Sequence, residues 1–242
     1  MLPDIAPQLD CLQPPQLRGW PRLQAQLVDR IKRAALRQLH VSAAGERLLL
    51  RIYLIGEEAT EQTLQRELIA ERPEWLIRQM DQHLAEEQRH ARVFATALAE
   101  RGATQSASEP DWLSQRKIAQ WHRLAKRYAV QFSGSVSVPA FAIGLCAEQM
   151  AARVLQRHRA LIGPQHPLYA LLSDVLADEE RHIRLCSHTL ERIVTPQEHK
   201  ALAILLHNIR AIERSFGVTG AIGMYLAGLA LRLRFGATPA MA

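Results

Sequence analysis

The sequence predicts an all-α protein, and three observations carry that prediction. Apolar residues recur at steps of three and four through most of the 242 residues. No segment alternates apolar and polar residues with the period of two that a half-buried strand requires. The periodic segments are separated by breaks marked with proline and glycine.

The elements follow in order. Residues 1–20 are proline-rich and aperiodic, which predicts an extended arm. Leu23, Leu27, Ile31, Ala35 and Leu39 predict a helix over about 21–40 with a basic outer face. Leu50, Leu54, Glu57, Glu61, Leu64 and Leu68 form one stripe of a second helix, about 44–71. Pro73 ends that helix or starts the next. The next stripe is Leu76, Met80, Leu84, Glu87, Ala91, Phe94 and Leu98, with Gly102 as the expected C-cap. A polar loop at 103–110 leads to a basic helix over about 111–130. After the break at Ser133, Gly134, Ser135 and Pro139, a helix carries Phe141, Leu145, Glu148, Ala152 and Leu155 to Gly163-Pro164. Another starts at Pro167 and carries Leu168, Leu172, Val175, Glu179, His182, Ile183 and Leu190. Thr195-Pro196-Gln197-Glu198 reads as a capping box with proline at the first helical position. It opens a final helical region to about 235, with a break expected near Gly217. The reading is one helical domain over 21–236 behind an arm at 1–20.

Composition narrows the partners. The net charge is +6 with histidine neutral. Much of the excess lies in Arg22, Arg30, Lys32, Arg33 and Arg37 and in Arg116, Lys117, Arg123, Lys126 and Arg127. Such faces suit an acidic partner: a carrier protein, tRNA or an anionic membrane surface. They also suit plain solvation. Cys11, Cys146 and Cys186 form no disulfide framework, so a reducing, cytoplasmic setting is expected. Met1 to Pro15 lacks a basic n-region, and no cleavable signal is expected. Gly217 to Leu231 is almost wholly apolar but shorter than the roughly 20 residues of a spanning helix. It reads as a buried core helix, with a position at the membrane periphery as the alternative.

A pattern recurs with an offset of about 91 residues. Glu57 corresponds to Glu148, Pro73 to Pro164, Glu87 to Glu179 and His90 to His182. Residues three apart share a helix face, so Glu87 and His90 can reach one ion together, as can Glu179 and His182. A glutamate about thirty residues earlier, on a helix joined by a turn, returns to the same level. Two such hairpins make an antiparallel four-helix bundle with four carboxylates and two imidazoles inside. Four buried acids need a counter-charge, which two divalent cations supply. Oxygen and imidazole donors suit iron or manganese, with zinc as a further option. Glu148 is the sole acid between Asp111 and Asp174, whereas Glu57 has Glu58 and Glu61 as competitors. Asp178 and Asp174 precede His182 by four and eight residues and are candidates to hold an imidazole, or exposed acids. His83, Tyr53 and Cys146 fall near the same level, with packing as the simpler role.

Glu57, Glu87-Gln88-Arg89-His90, Glu148 and Glu179-Glu180-Arg181-His182 resemble the ligand set of the ferritin-like di-iron carboxylate superfamily, over about residues 44–193. The resemblance implies a ferritin-like core with added N-terminal, inserted and C-terminal helices. It implies two iron ions, with manganese as the alternative, held by Glu57, Glu87, His90, Glu148, Glu179 and His182. It also implies a non-haem oxidase or oxygenase that uses dioxygen on a small organic or carrier-bound substrate. The alternative within the superfamily is a ferroxidase, iron-storage or peroxide-detoxifying protein. No Cys-x-x-Cys pair stands in the sequence, which argues against the rubrerythrin-like form. With no flavin, haem or iron–sulfur motif, an external electron donor is expected. The oligomeric state stays open.

Overall fold

The computed structural model describes residues 9–63, 74–103 and 112–235. These are all-helical, with seven α-helices and no strand among the described residues. The helices are α1 (Gly19–His40), α2 (Ala43–Thr63), α3 (Glu74–Glu100), α4 (Trp112–Ala129), α5 (Ser137–Ile162), α6 (Leu168–Ile193) and α7 (His199–Phe235). The helix pairs α2/α3 and α5/α6 pack antiparallel, α3 touches α6, and α1 packs along α7. The proposed turn at Pro73, the stripe residues Leu64 and Leu68, and most of the 103–110 loop lie outside the described residues.

Local chemistry sets the helix ends. The Ser42 hydroxyl accepts the Gly45 amide at 3.1 Å and caps the start of α2. Gly102 follows α3 at φ +72°, a conformation that suits glycine, and its amide donates to Ala99. Before α7, the Thr195 amide donates to Glu198 Oε2 at 2.8 Å, as the capping box predicts.

Three expectations are corrected. The arm is not simply extended: Asp10–Leu12 form a 3-10 turn, and Leu12 is fully buried. Gln149 and Arg210 donate to its carbonyl and so tie the arm down. The helix does not break at Gly217; α7 runs unbroken for 37 residues. Nor is its apolar C-terminal half a core helix. Val218, Ile222, Leu226 and Leu233 are exposed, whereas Ala221 and Gly228 face inward. α1 passes close to Gly228: a Cβ there would lie 2.9 Å from that of Gln38. Both α5 and the Pro196–Arg234 segment are long and apolar enough to cross a membrane by length and composition; half of the α5 window is buried, against 11% for the α7 segment.

The core is split into two apolar clusters, and the split positions the site. One holds Leu76, Met80, Phe141, Leu145, Leu185 and Leu190. The other holds Leu50, Leu54, Phe94, Leu155, Leu172 and Val175. On α3, α5 and α6 the stripe leaves one cluster, passes through the Glu and His positions, and enters the other. The polar residues therefore form a belt sealed by hydrocarbon above and below.

Candidate metal centre

Helical spacing puts each donor on an inward stripe, and packing brings the four stripes to one level. Glu57 comes from α2, Glu87 and His90 from α3, Glu148 from α5, and Glu179 and His182 from α6. All six are buried, none more than 9% exposed. Their donor atoms fall into two groups, each within 4.8 Å. One is Glu57, Glu87, His90 and Glu179. The other is Glu87, Glu148, His182 and His83. Glu87 belongs to both.

The distances are short without being bonds of good geometry. His90 Nδ1 lies 3.6 Å from Glu57 Oε2 and 4.0 Å from Glu179 Oε1. His182 Nδ1 lies 3.1 Å from Glu87 Oε1 and 3.9 Å from Glu148 Oε2. His83 Nε2 lies 3.2 Å from Glu87 and 3.3 Å from Glu148. Yet His90 Nδ1, His182 Nδ1, both ring nitrogens of His83, Glu87 Oε1 and Glu179 Oε2 are buried without a hydrogen bond. Buried polar atoms are normally satisfied, so this concentration of orphans at one level points to a missing partner.

The outward ring nitrogens behave differently. His90 Nε2 lies 3.0 Å from Asp178 Oδ2, and His182 Nε2 lies 2.9 Å from Glu86 Oε2. Each carboxylate comes from the opposite helix and directly precedes a belt glutamate. Asp178 is braced by Arg89 and Arg181, and Glu86 by Arg181 and Gln82. The braced carboxylates keep the proton on Nε2 and leave the Nδ1 lone pairs aimed into the belt. Asp178, weighed as an imidazole partner or an exposed acid, holds His90 across the interface. Glu86 was missed, although its place before Glu87 mirrors that of Asp178 before Glu179. Asp174 is exposed.

The electrostatics show the strain of four acids together. Burial and the facing carboxylates, first among them Glu87, push Glu57 well above the usual carboxyl range. Burial and Glu148 do the same to Glu179. Burial also opposes ionisation of Glu87, but the close imidazoles of His182 and His83 outweigh it and hold that carboxyl low. His182 is pulled down by burial and more strongly raised by Glu86 and Glu87, to about 9. Burial lowers His90 to about 4. The belt thus has protons where cations would serve, and the donor set fits two divalent ions.

Of the other residues weighed, Glu58 is partly exposed and belongs to neither group. Glu61 accepts from Gln88 at 3.1 Å and also stands apart from the belt. His83, for which packing was the simpler reading, faces Glu87 and Glu148. Its position four residues before Glu87 is the signal that marked it.

A cavity of about 310 Å³ opens beside the belt. Glu57, His83, Glu148 and Glu179 are among its lining residues. Ile52, Ile55, Phe141, Ile143, Val154 and Leu155 supply apolar wall, and the inserted helix α4 adds Lys117, Ile118, Trp121 and His122. Tyr53 and Cys186 border it, whereas Cys146 does not. Comparisons with protein-family models, with curated proteins and with solved structures return no match. The expected likeness to ferritin-like proteins therefore rests on the donor pattern in the sequence alone.

Proposed function

We propose that this chain is a ferritin-like di-iron oxidase or oxygenase that takes an apolar organic substrate in the cavity beside the belt. Glu57, Glu87, His90 and Glu179 would hold one ion, and Glu87, Glu148, His182 and His83 the other. Iron, with manganese as the alternative, suits this oxygen and imidazole set. When bound, the metal pair supplies dioxygen activation. The chain's own residues do the rest. Asp178 and Glu86 orient the two imidazoles, the two apolar clusters exclude water, and the cavity positions the substrate.

The observation that carries this reading is the largely apolar cavity that four belt residues help to line. Storage of iron needs no such walled space for an organic molecule. The insertion of α4 makes one wall of it, and its basic residues favour an acidic electron donor or carrier-bound substrate.

Anaerobic loading with ferrous iron should give about two ions per chain. The loaded protein should then consume dioxygen only with a reductant and an apolar substrate. Ile52→Trp narrows the cavity at a part-exposed wall position; it should keep the iron and lose substrate-dependent turnover. Mineralisation of many irons per subunit would establish storage instead, and a protein that takes up no iron would end the metal reading.

A further inference from the structure

A second histidine cluster lies outside the belt and reaches the wall of the cavity beside it. Glu46 on α2 is buried, and its Oε1 lies 3.0 Å from His40 Nδ1 and 3.3 Å from His166 Nε2. Its other oxygen accepts from Arg101 at 2.9 Å. His40 Nε2 lies 2.5 Å from Nε2 of His158, which is fully buried. His158 Nδ1 lies 2.9 Å from the Tyr53 hydroxyl, and Tyr53 borders the cavity. An unbroken chain thus runs from the cavity wall to His40 and His166, whose side chains are 13% and 21% exposed.

The polarity of this chain follows from its ends. An ionised carboxylate only accepts, so His40 Nδ1 carries hydrogen. Neutral His40 then has a bare Nε2, which His158 Nε2–H must fill. His158 Nδ1 is bare in turn and accepts from Tyr53. Every bond points outward. A metal at the same cluster is disfavoured by the same accounting. Arg101 already neutralises Glu46, and the Leu168 amide donates to His166 Nδ1 at 3.2 Å, which keeps the proton on Nε2 where an ion would need a lone pair. None of these atoms is among the buried orphans.

We propose that Tyr53, His158 and His40 form a proton relay that withdraws a proton from the molecule or water in the cavity. The Tyr53 O–H bond breaks and its proton joins His158 Nδ1. The His158 Nε2–H bond breaks and its proton joins His40 Nε2. His40 becomes an imidazolium beside the Glu46 carboxylate, and the Tyr53 oxygen takes its replacement proton from an O–H or N–H group in the cavity. One proton moves, no electron moves, and the group in the cavity is left one charge more negative. His158 passes the proton without storing it, because burial and the neighbouring His40 and His166 keep its pKa at about 3. The use of the relay rests on the proposed oxidase reading; its polarity does not.

Ring-nitrogen NMR of the metal-free protein, with 15N-labelled histidine, should show hydrogen on His40 Nδ1 and His158 Nε2. A proton on His158 Nδ1 reverses the chain and overturns the relay, whatever the metal site does. In the iron-loaded protein, Tyr53→Phe and His158→Gln should each lower kcat by about a hundred-fold or more with KM unchanged. The double variant should fall no further, and imidazole should partly restore His158→Ala. Wild-type kcat in Tyr53→Phe sinks the proposal. Metal content should be equal in the wild type and in His40→Ala and His166→Ala; loss of one ion in these variants assigns the cluster to a metal and overturns the relay. A wild type that loads iron yet never consumes dioxygen refutes the oxidase reading, while the NMR result still decides the chain's polarity.

Discussion

The belt and the outer cluster are built from the same residue types, buried glutamate and histidine, yet they are satisfied in opposite ways. In the outer cluster Glu46 has Arg101 and two imidazoles, and each ring nitrogen of His158 has a partner. In the belt no Lys or Arg among the described residues forms an ion pair with the four glutamates, and six inward atoms are orphaned. The cations near the belt, Arg89 and Arg181, neutralise Asp178 and Glu86 instead, one layer out. Burial alone therefore does not make a cluster a candidate metal site. What singles out the belt as one is negative charge that the protein leaves uncompensated after supplying arginines close by.

Four measurements distinguish the two regions, in order of decreasing effect. Glu87 is common to both donor groups, so Glu87→Ala should remove both ions, from about two per chain to nearly none by elemental analysis, with far-UV circular dichroism retained. One ion remaining would show that the groups do not share it. In the outer cluster, Glu46→Ala should leave metal content at the wild-type value but cost about 3 kcal/mol in urea unfolding, because Arg101 and two imidazoles lose their partner. Asp178→Asn and Glu86→Gln should each weaken metal binding by about 10- to 100-fold in competition with a chelator, without abolishing it. Equal affinity would mean that the imidazoles are held by packing alone.

The smallest effect is on pH dependence, and its sign differs between the regions. Burial and the adjacent His40 and His166 lower His158 to about 3. The unfolded chain, near 6.5, takes up that proton first, so this contribution is complete above about pH 6.5 and declines as pH falls toward 3. Glu46 acts in the same direction lower down. Burial raises it, but bonds from His40 and Arg101 win and hold it at about 2, so its stabilisation declines as pH falls from about 4.5 toward 2. In the metal-free belt, His182 is raised to about 9 by Glu86 and Glu87 against its burial. Its contribution is present below about 6.5 and is lost as pH rises through 9. Melting temperatures should therefore fall on acidification with a slope that His158→Gln flattens, and fall at alkaline pH with a slope that chelator-free, metal-loaded protein does not show.

Much of this was legible in the sequence, for a local reason. Donors on one helix need only the right spacing, so Glu87 with His90 and Glu179 with His182 could be read directly. Glu148 was legible because nothing acidic competes with it. The level of Glu57 followed from the stripe of Leu50 and Leu54. Partners across an interface were not legible. The sequence offers Asp178 to His182 at a spacing of four, but the rotation of α6 against α3 gives it to His90. Glu86 looked like one surface acid in a charged run. The relay joins residues 118 and 105 positions apart, and no periodicity records such a pairing. Gly217 misled as a break because a single glycine costs a helix only about 1 kcal/mol, which a 37-residue helix absorbs.

By itself, then, the sequence determined that the chain is helical and which residues turn inward on each helix, since both follow from backbone periodicity within a few residues. The tertiary structure decided which inward atoms meet and which remain without partners. It placed Glu87 between two donor groups, gave each belt histidine a carboxylate from the facing helix, and put a walled cavity against one side of the belt. Those outcomes depend on how separate helices rotate and pack, because a side chain's electrostatic and hydrogen-bonding partners are set by distance in space and not along the chain.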